Sequence, residues 1–487
     1  MGKSADWSFV PSDEVAQIRA RLDHPVIDSD GHLLEFLPIV RDHVVDLAGE
    51  SVAERFDRMI NGGRMIHQFP AGEERRKLGM SRSAWWGIPT RNTLDRATAM
   101  FPELLYRRLD EIGIDFALLY PTFGLTVTAT PDDELRRAMA RAFNRYYAEA
   151  YADYRDRLEP VACIPMFDPQ EAVDELRYAV GELGLKAVMM AGVIPRILPG
   201  VEGSRAARWI DTLGHDSVHD YDPVWATCVE LGVAPSFHAG GQGWGTRMST
   251  TNYVYNHIGN FAAAGEAAAR SLFFGGVPKR FPELRFAFQE GGVAWACNLY
   301  SDILGHWEKR NRDAIGHYDP RALDQAKLTA LFEKFGTDAM RERADRLSYG
   351  LNMLSEPEDD PVVVDEFAES LVEDVGDVLD IFTRQYHFGC EADDPMNALA
   401  FNRDLNPHGA RLRGVFASDI GHWDVPDFRG VLPEAYELVE DGHFTEHDFM
   451  EFVFGNPVSL WAGANPAFFK GTVVEGPVAK LLDTTRG

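Results

Sequence analysis

Eight short apolar runs recur along the chain: HPVIDSDGH, IDFALLYPT, LEPVACIPM, GLKAVMMAG, GVAPSFHAG, LRFAFQEGG, QYHFGCEAD and RGVFASDIGH. Most are followed by polar or glycine-containing residues and then by a stretch with helical periodicity. Examples are PDDELRRAMARAFNRYYAEAYADY, DPQEAVDELRYAVGELG and YDPVWATCVELG. The last two open near an Asp-Pro pair, a helix-start signal. Buried-type strands alternating with helices predict an α/β chain folded as a (β/α)8 TIM-type barrel, one domain spanning residues 1–487. A doubly wound open sheet is the alternative. It needs a phosphate or cofactor loop, and no GxxxxGKS/T motif occurs, nor a GxGxxG opening a helix after the first strand. GGQGWG at 240–245 has the wrong spacing and follows the fifth run. Two segments, about 33–110 and 296–385, exceed a plain β/α unit and predict helical insertions after strands one and six, as lids, caps or subunit contacts.

Composition is ordinary for a globular chain, 45% hydrophobic and 25% charged over 487 residues. The net charge of -28 argues against nucleic acid or an anionic membrane as partner, since both require basic patches. Cys163, Cys228, Cys297 and Cys390 lie far apart with no CxxC pair, which suits free thiols in a reducing compartment. With no signal-peptide pattern and no long apolar span, a soluble cytoplasmic protein is expected.

In such barrels the chemistry gathers at the C-terminal ends of the strands. Those ends carry Asp28, Asp30 and His32 on strand one, His238 on strand five and Glu290 on strand six. Strand seven adds Glu391 and Asp393, and strand eight Asp419, with His422 and Asp424 beyond. In VIDSDGH the two-residue spacing aims three polar side chains at one face. Each residue alone reads as easily as a polar side chain near a turn. Together they form a ring of carboxylates and imidazoles that repels itself unless a cation sits inside.

These motifs resemble the amidohydrolase superfamily, in particular the amidohydrolase-related branch that includes aminocarboxymuconate-semialdehyde decarboxylase. Asp28 and His32 match the outer residues of its opening Asp-x-His-x-His, and Asp30 stands at the first histidine position. His238 in SFHAGG matches the strand-five ligand, Asp419 in FASDIGHWD the strand-eight aspartate, and FVFGNPVSLWAG the closing helix. Two departures stand out. Glu290 replaces a histidine common on strand six, and the bridging lysine of two-metal relatives has no counterpart, since Lys186 starts its strand. The resemblance implies one divalent cation, zinc first and manganese or iron as alternatives, held by Asp30, His32, His238 and Asp419. A second ion near Glu290 stays open, and a homodimer or larger oligomer is a family expectation. Asp28 is expected to orient a ligand or pair with a buried group.

Such a site activates water, with Asp419 as the proton acceptor and Glu290 and His257 as further acid–base candidates. The first expectation is therefore a metal-dependent hydrolase of a small organic acid, amide, ester or related carbonyl compound. Non-oxidative decarboxylation of an aromatic or unsaturated acid is the alternative, and a metal-free, non-catalytic barrel is the third reading. For the substrate, Arg196 and Arg247 are candidate carboxylate clamps. Trp244, Tyr253 and Tyr255 are candidate stacking surfaces, and Trp85, Trp86 and Arg91 a candidate lid.

Overall fold

The structure, a computed structural model, describes residues 7–60, 72–77, 80–82, 91–201, 207–238, 240–241, 243–347, 349 and 364–486. Ten strands form among them. They are β1 (Ile27–Leu33), β2 (Phe116–Pro121), β3 (Leu158–Cys163), β4 (Ala187–Met190), β5 (Ile194–Ile197), β6 (Arg208–Asp211), β7 (Pro235–Phe237), β8 (Phe286–Phe288), β9 (Tyr386–Glu391) and β10 (Arg413–Ala417). Eight of them, each one of the apolar runs, make a single sheet in the order β1-β2-β3-β4-β7-β8-β9-β10. Neighbours along that order are parallel. Strands covered on both faces need apolar residues at nearly every position; β2, β3, β4, β7 and β8 are buried throughout. Helices follow the strands. Asp168 caps the Pro169–Leu176 helix in a reciprocal capping box with Glu171.

The first and last strands meet. Asp419 N donates to Asp30 O at 2.9 Å and His32 N to Ile420 O at 2.7 Å. Asp28 supports the same seam, accepting at 3.0 Å from Ser418 N and also from the Ser418 hydroxyl. The sheet therefore closes into a (β/α)8 barrel. β1 does not run regularly: its register against β2 shifts between Asp28 and Gly31, a bulge. A Cβ at Gly31 would stand 2.7 Å from Asp28 Oδ2, so the Asp28 carboxylate lies on the Gly31 side of the strand. The expected single face is thereby split. Asp28 serves the seam as a buried partner of Ser418, while Asp30 and His32 keep the spacing that sends both to the mouth.

Both insertions contain helices. After β1, the helices Leu37–Ala48, Glu50–Ile60 and Pro102–Ile112 bury Val40, Val44, Phe56, Leu105 and Leu109. After β8, Ala294–Arg310 packs as a barrel helix, but Gln325–Phe335 and Asp338–Arg341 bury no residue. β5 and β6, which the apolar pattern does not announce, pair as an antiparallel ribbon projecting from the loop after β4. Among the described residues no helix is long and apolar enough to cross a membrane.

Candidate metal centre and active site

Three strand ends bring four of the sequence candidates together. Asp30 and His32 come from β1, His238 follows β7 and Asp419 follows β10. Asp30, His32 and His238 offer ligand atoms mutually within 4.8 Å. His32 Nε2 is 3.6 Å from Asp30 Oδ1 and 3.2 Å from Asp419 Oδ1, and His238 Nε2 is 3.7 Å from Asp30 Oδ1. Glu290, after β8, adds its Oε2 at 3.2 Å from His238 Nε2. Glu290 and Asp419 hold positive φ of 58° and 51°, a left-handed backbone that costs a non-glycine residue about 1 kcal/mol or more and gathers at functional sites.

The donor atoms lack ordinary partners. Asp30 Oδ1, His32 Nε2, His238 Nε2, Glu290 Oε2 and both oxygens of Asp419 are buried without a hydrogen-bond partner. Buried polar atoms are nearly always paired, so an orphaned set pointing at one place calls for a missing ligand. Two imidazole nitrogens with carboxylate oxygens suit zinc, manganese or iron. Burial, with His422 close by, lowers the His32 pKa to about 4, and burial beside His32 holds His238 well below the usual range. Both rings are thus in the neutral, ligating form. Burial raises Asp30 well above a normal carboxylate, Asp419 and Asp28 adding to it. Burial also pushes Asp419 upward, but His422 and His32 outweigh it and leave the group well below its ordinary value. A divalent cation reverses the penalty on Asp30. The residues fit a single metal ion.

His422 completes the cluster. Its ring stacks on His32 with centroids 3.5 Å apart, and its Nδ1 lies 2.8 Å from Asp419 Oδ1. Gly421 makes room for this loop: with φ of 99°, a Cβ there would meet His32 O at 2.6 Å. Sequence reading sees His422 near strand eight but gives it no role, because nothing in a GHWD turn says which side chain bends back. Glu290, Asp419 and the more exposed Asp424 make a further group of carboxylates within 4.8 Å.

One edge of the cluster forms the floor of a pocket of about 870 Å³. His238, Glu290 and His422 reach it from below, and Trp244, His257, Phe261 and Trp423 form aromatic wall. The His257 ring packs edge-on to Phe261 and Trp423, with centroids 5.6 and 5.8 Å away. Burial keeps it below its ordinary pKa. Val193 on the loop after β4 and Pro195 on β5, with Arg208 and Ile210 on β6, make another side.

A family model described as amidohydrolase matches residues 27–340, well over half of the chain and inclusive of Asp30, His32, His238 and Glu290. The chain belongs to the amidohydrolase family. Among solved structures it resembles an amidohydrolase of Mycobacterium avium subsp. paratuberculosis K-10, with a TM-score of 0.52 and 17% identity, covering 90% of this chain and 98% of that one. It also resembles a dihydroxybenzoic acid decarboxylase of Polaromonas sp. JS666 with manganese and 2-nitroresorcinol bound (TM-score 0.47, 16% identity, 90% and 97% covered). A third is 2,6-dihydroxybenzoate decarboxylase from Rhizobium (TM-score 0.45, 14% identity, 90% and 98% covered). At these identities the likeness is one of fold.

The remaining candidates of this amidohydrolase divide. Trp244 and His257 line the pocket. Tyr253 stands behind His257, ring centroids 5.0 Å apart, and Tyr255 is exposed at 57%. Arg196 is spent on the fold. Its Nε donates to Asp211 Oδ2 at 3.0 Å, Nη1 to Phe167 O at 2.7 Å and Nη2 to the Tyr221 hydroxyl at 2.9 Å. Arg247 Nη2 donates to Gly259 O at 3.0 Å, pinning its own loop. Neither arginine is among the pocket-lining residues. Arg91 is exposed and also off the pocket wall; Trp85 and Trp86 lie outside the described residues. Lys186 Nζ donates to Phe468 O at 3.0 Å, from just before β4 and so at the opposite end of that strand from the mouth.

Proposed function

We propose that this amidohydrolase is a metal-dependent enzyme that removes CO2 without oxidation from a flat, aromatic or unsaturated carboxylic acid, using one zinc, manganese or iron ion. The observation that carries the reading is the meeting, in one pocket, of partnerless metal-type donors, a free acid and aromatic walls. Asp30, His32, His238 and Asp419 would hold the ion. Bound there, it would supply Lewis-acid chemistry, fixing substrate oxygens and drawing charge from the bond to be broken. The remaining work falls to side chains of the chain itself. Trp244, Phe261 and Trp423 offer surfaces against which a planar ring can be held. Glu290 lines the floor with an oxygen free of hydrogen bonds, and would deliver a proton to the ring carbon. The C–C bond to the carboxylate breaks, CO2 departs, and the electron pair ends in the new C–H bond. Glu290 is then reprotonated from solvent.

Hydrolysis is the second reading, and Asp419 favours it. Although burial pushes its pKa upward, His422 and His32, whose ring nitrogens lie 2.8 and 3.2 Å from Oδ1, hold it below its ordinary value, in the form of a base for water. The absent bridging lysine weighs against a two-ion hydroxide of the kind that serves many hydrolases. Metal-loaded protein incubated with a panel of aromatic and unsaturated acids in D2O separates the two. Release of CO2 with one deuterium at the vacated carbon is expected. Oxygen from labelled water appearing in a product acid, without CO2, would replace this reading by hydrolysis.

A further inference from the structure

The ribbon of β5 and β6 has two unlike faces. Directly opposed residues of an antiparallel pair share a face, and the register sets Arg196 against Trp209 and Ile194 against Asp211 on one side. That side turns inward: Ile194 and Asp211 are fully buried, and Asp211 holds Arg196. The other side pairs Pro195 with Ile210 and Ile197 with Arg208, and Pro195, Ile210 and Arg208 all line the pocket. One residue of parity thus decides which arginine of the ribbon is structural and which looks at the site. Arg208 makes no ion pair or side-chain hydrogen bond with any described residue. Among the described lining residues it is the one with a permanent positive charge. The pocket floor bears carboxylates and, by the reading above, a cation they would neutralise.

We propose that Arg208 binds a second anionic group of the substrate, remote from the group held at the donor cluster, so that the pocket selects flat acids with two oxyanion ends. This rests on reading the pocket as the substrate site. A guanidinium whose donors meet no described residue presents a planar fork that matches a carboxylate in two parallel hydrogen bonds. The apolar and aromatic neighbours, Pro195, Ile210 and Trp244, offer the ring between the two ends a dry surface. A pocket of about 870 Å³ has room for such a molecule.

The test measures equilibrium binding of isophthalate, terephthalate and benzoate to the full chain loaded with zinc, by calorimetry, in wild type, Arg208→Met and Arg208→Lys. At least one dicarboxylate should bind wild type ten-fold or more tighter than benzoate. Arg208→Met should reduce it to the level of benzoate and Arg208→Lys should restore part of the difference, with benzoate affinity and zinc content unchanged. Dicarboxylates that bind no better than benzoate, or not at all, overturn the proposal, as does selectivity that survives Arg208→Met. These probes report binding, so the outcome is separate from that of the CO2 assay: selectivity without CO2 keeps the clamp and rejects the reaction. CO2 release without selectivity does the reverse.

Discussion

Two buried polar clusters in this molecule share ingredients and differ in bookkeeping. In the first, Arg108, 1% exposed, donates through Nε to Glu111 at 2.7 Å and through Nη1 to Asp95 and the Thr98 hydroxyl, each at 2.6 Å. The other oxygen of Asp95 accepts from Phe428 N at 2.8 Å and Asn92 Nδ2 at 2.7 Å. In the second, at the barrel mouth, Asp30, His32, His238, Glu290 and Asp419 are just as hidden, yet key atoms of each have no hydrogen-bond partner. A buried charge without compensation is expensive. The first cluster is complete from the chain's own atoms, whereas the second is complete only with something added. Burial of charge therefore does not mark a functional site; unmatched burial does.

The sharpest way to break this contrast is to alter a mouth donor. Asp419→Asn should lower turnover by about 10³-fold and His238→Ala should remove the bound ion, both with near-unchanged circular dichroism; a fully active Asp419→Asn removes that residue from the chemistry. Arg108→Met should do the opposite. It strands Asp95 and Glu111 in the interior, so a loss of about 3–5 kcal/mol in denaturant unfolding is expected, with metal content per folded chain intact. Adding zinc to the chelator-stripped protein at 100-fold above its dissociation constant should raise stability by about 2.7 kcal/mol. The same addition to a chain carrying His32→Ala should move the melting curve little.

The smallest effect belongs to a buried acid outside both clusters. Glu175 accepts from Asn144 Nδ2 at 2.8 Å, yet burial raises its pKa to about 6 from 4.5, with Asn144 and Arg141 only partly opposing. A carboxyl that is more basic in the fold favours the folded state while protonated. Its contribution is thus present at low pH and fades as pH rises from about 4.5 through about 6, roughly 2 kcal/mol in all. Glu175→Gln should flatten the stability profile over that window; an unchanged slope assigns the titration elsewhere.

Much of the mouth is legible in sequence because a barrel turns one-dimensional position into place. An apolar run long enough to be a buried strand ends at one rim, so Asp30, His32, His238 and Asp419 gather without any knowledge of loops. What escapes depends on single-residue parity or on backbone reversal. The bulge at Ser29 and Asp30 leaves no apolar signature, and it sends Asp28 to Ser418 and away from its two neighbours. The ribbon of β5 and β6 is too short and mixed to register as strands. Arg196 therefore reads as a clamp and Arg208 goes unnamed until the pairing shows which face each occupies. His422 returns to Asp419 only because Asp419 and Gly421 take left-handed conformations, which the sequence SDIGH permits but does not require.

The seam between β1 and β10 has a consequence for the life history of the chain. Asp28 and Ser418 are 390 positions apart, and the donors beside them come from the opening and closing strands of the barrel. Asp30, His32 and His238 are all made before β10, so on a ribosome the proposed four-ligand site would await Asp419 and the docking of the last strand. On that reading, tight ion capture would report closure of the seam. A chain cut off between β8 and β10 would keep Asp30, His32 and His238 but lack Asp419, and by the reading above would hold the ion more weakly. Bound metal per chain would then serve as a readout of barrel closure.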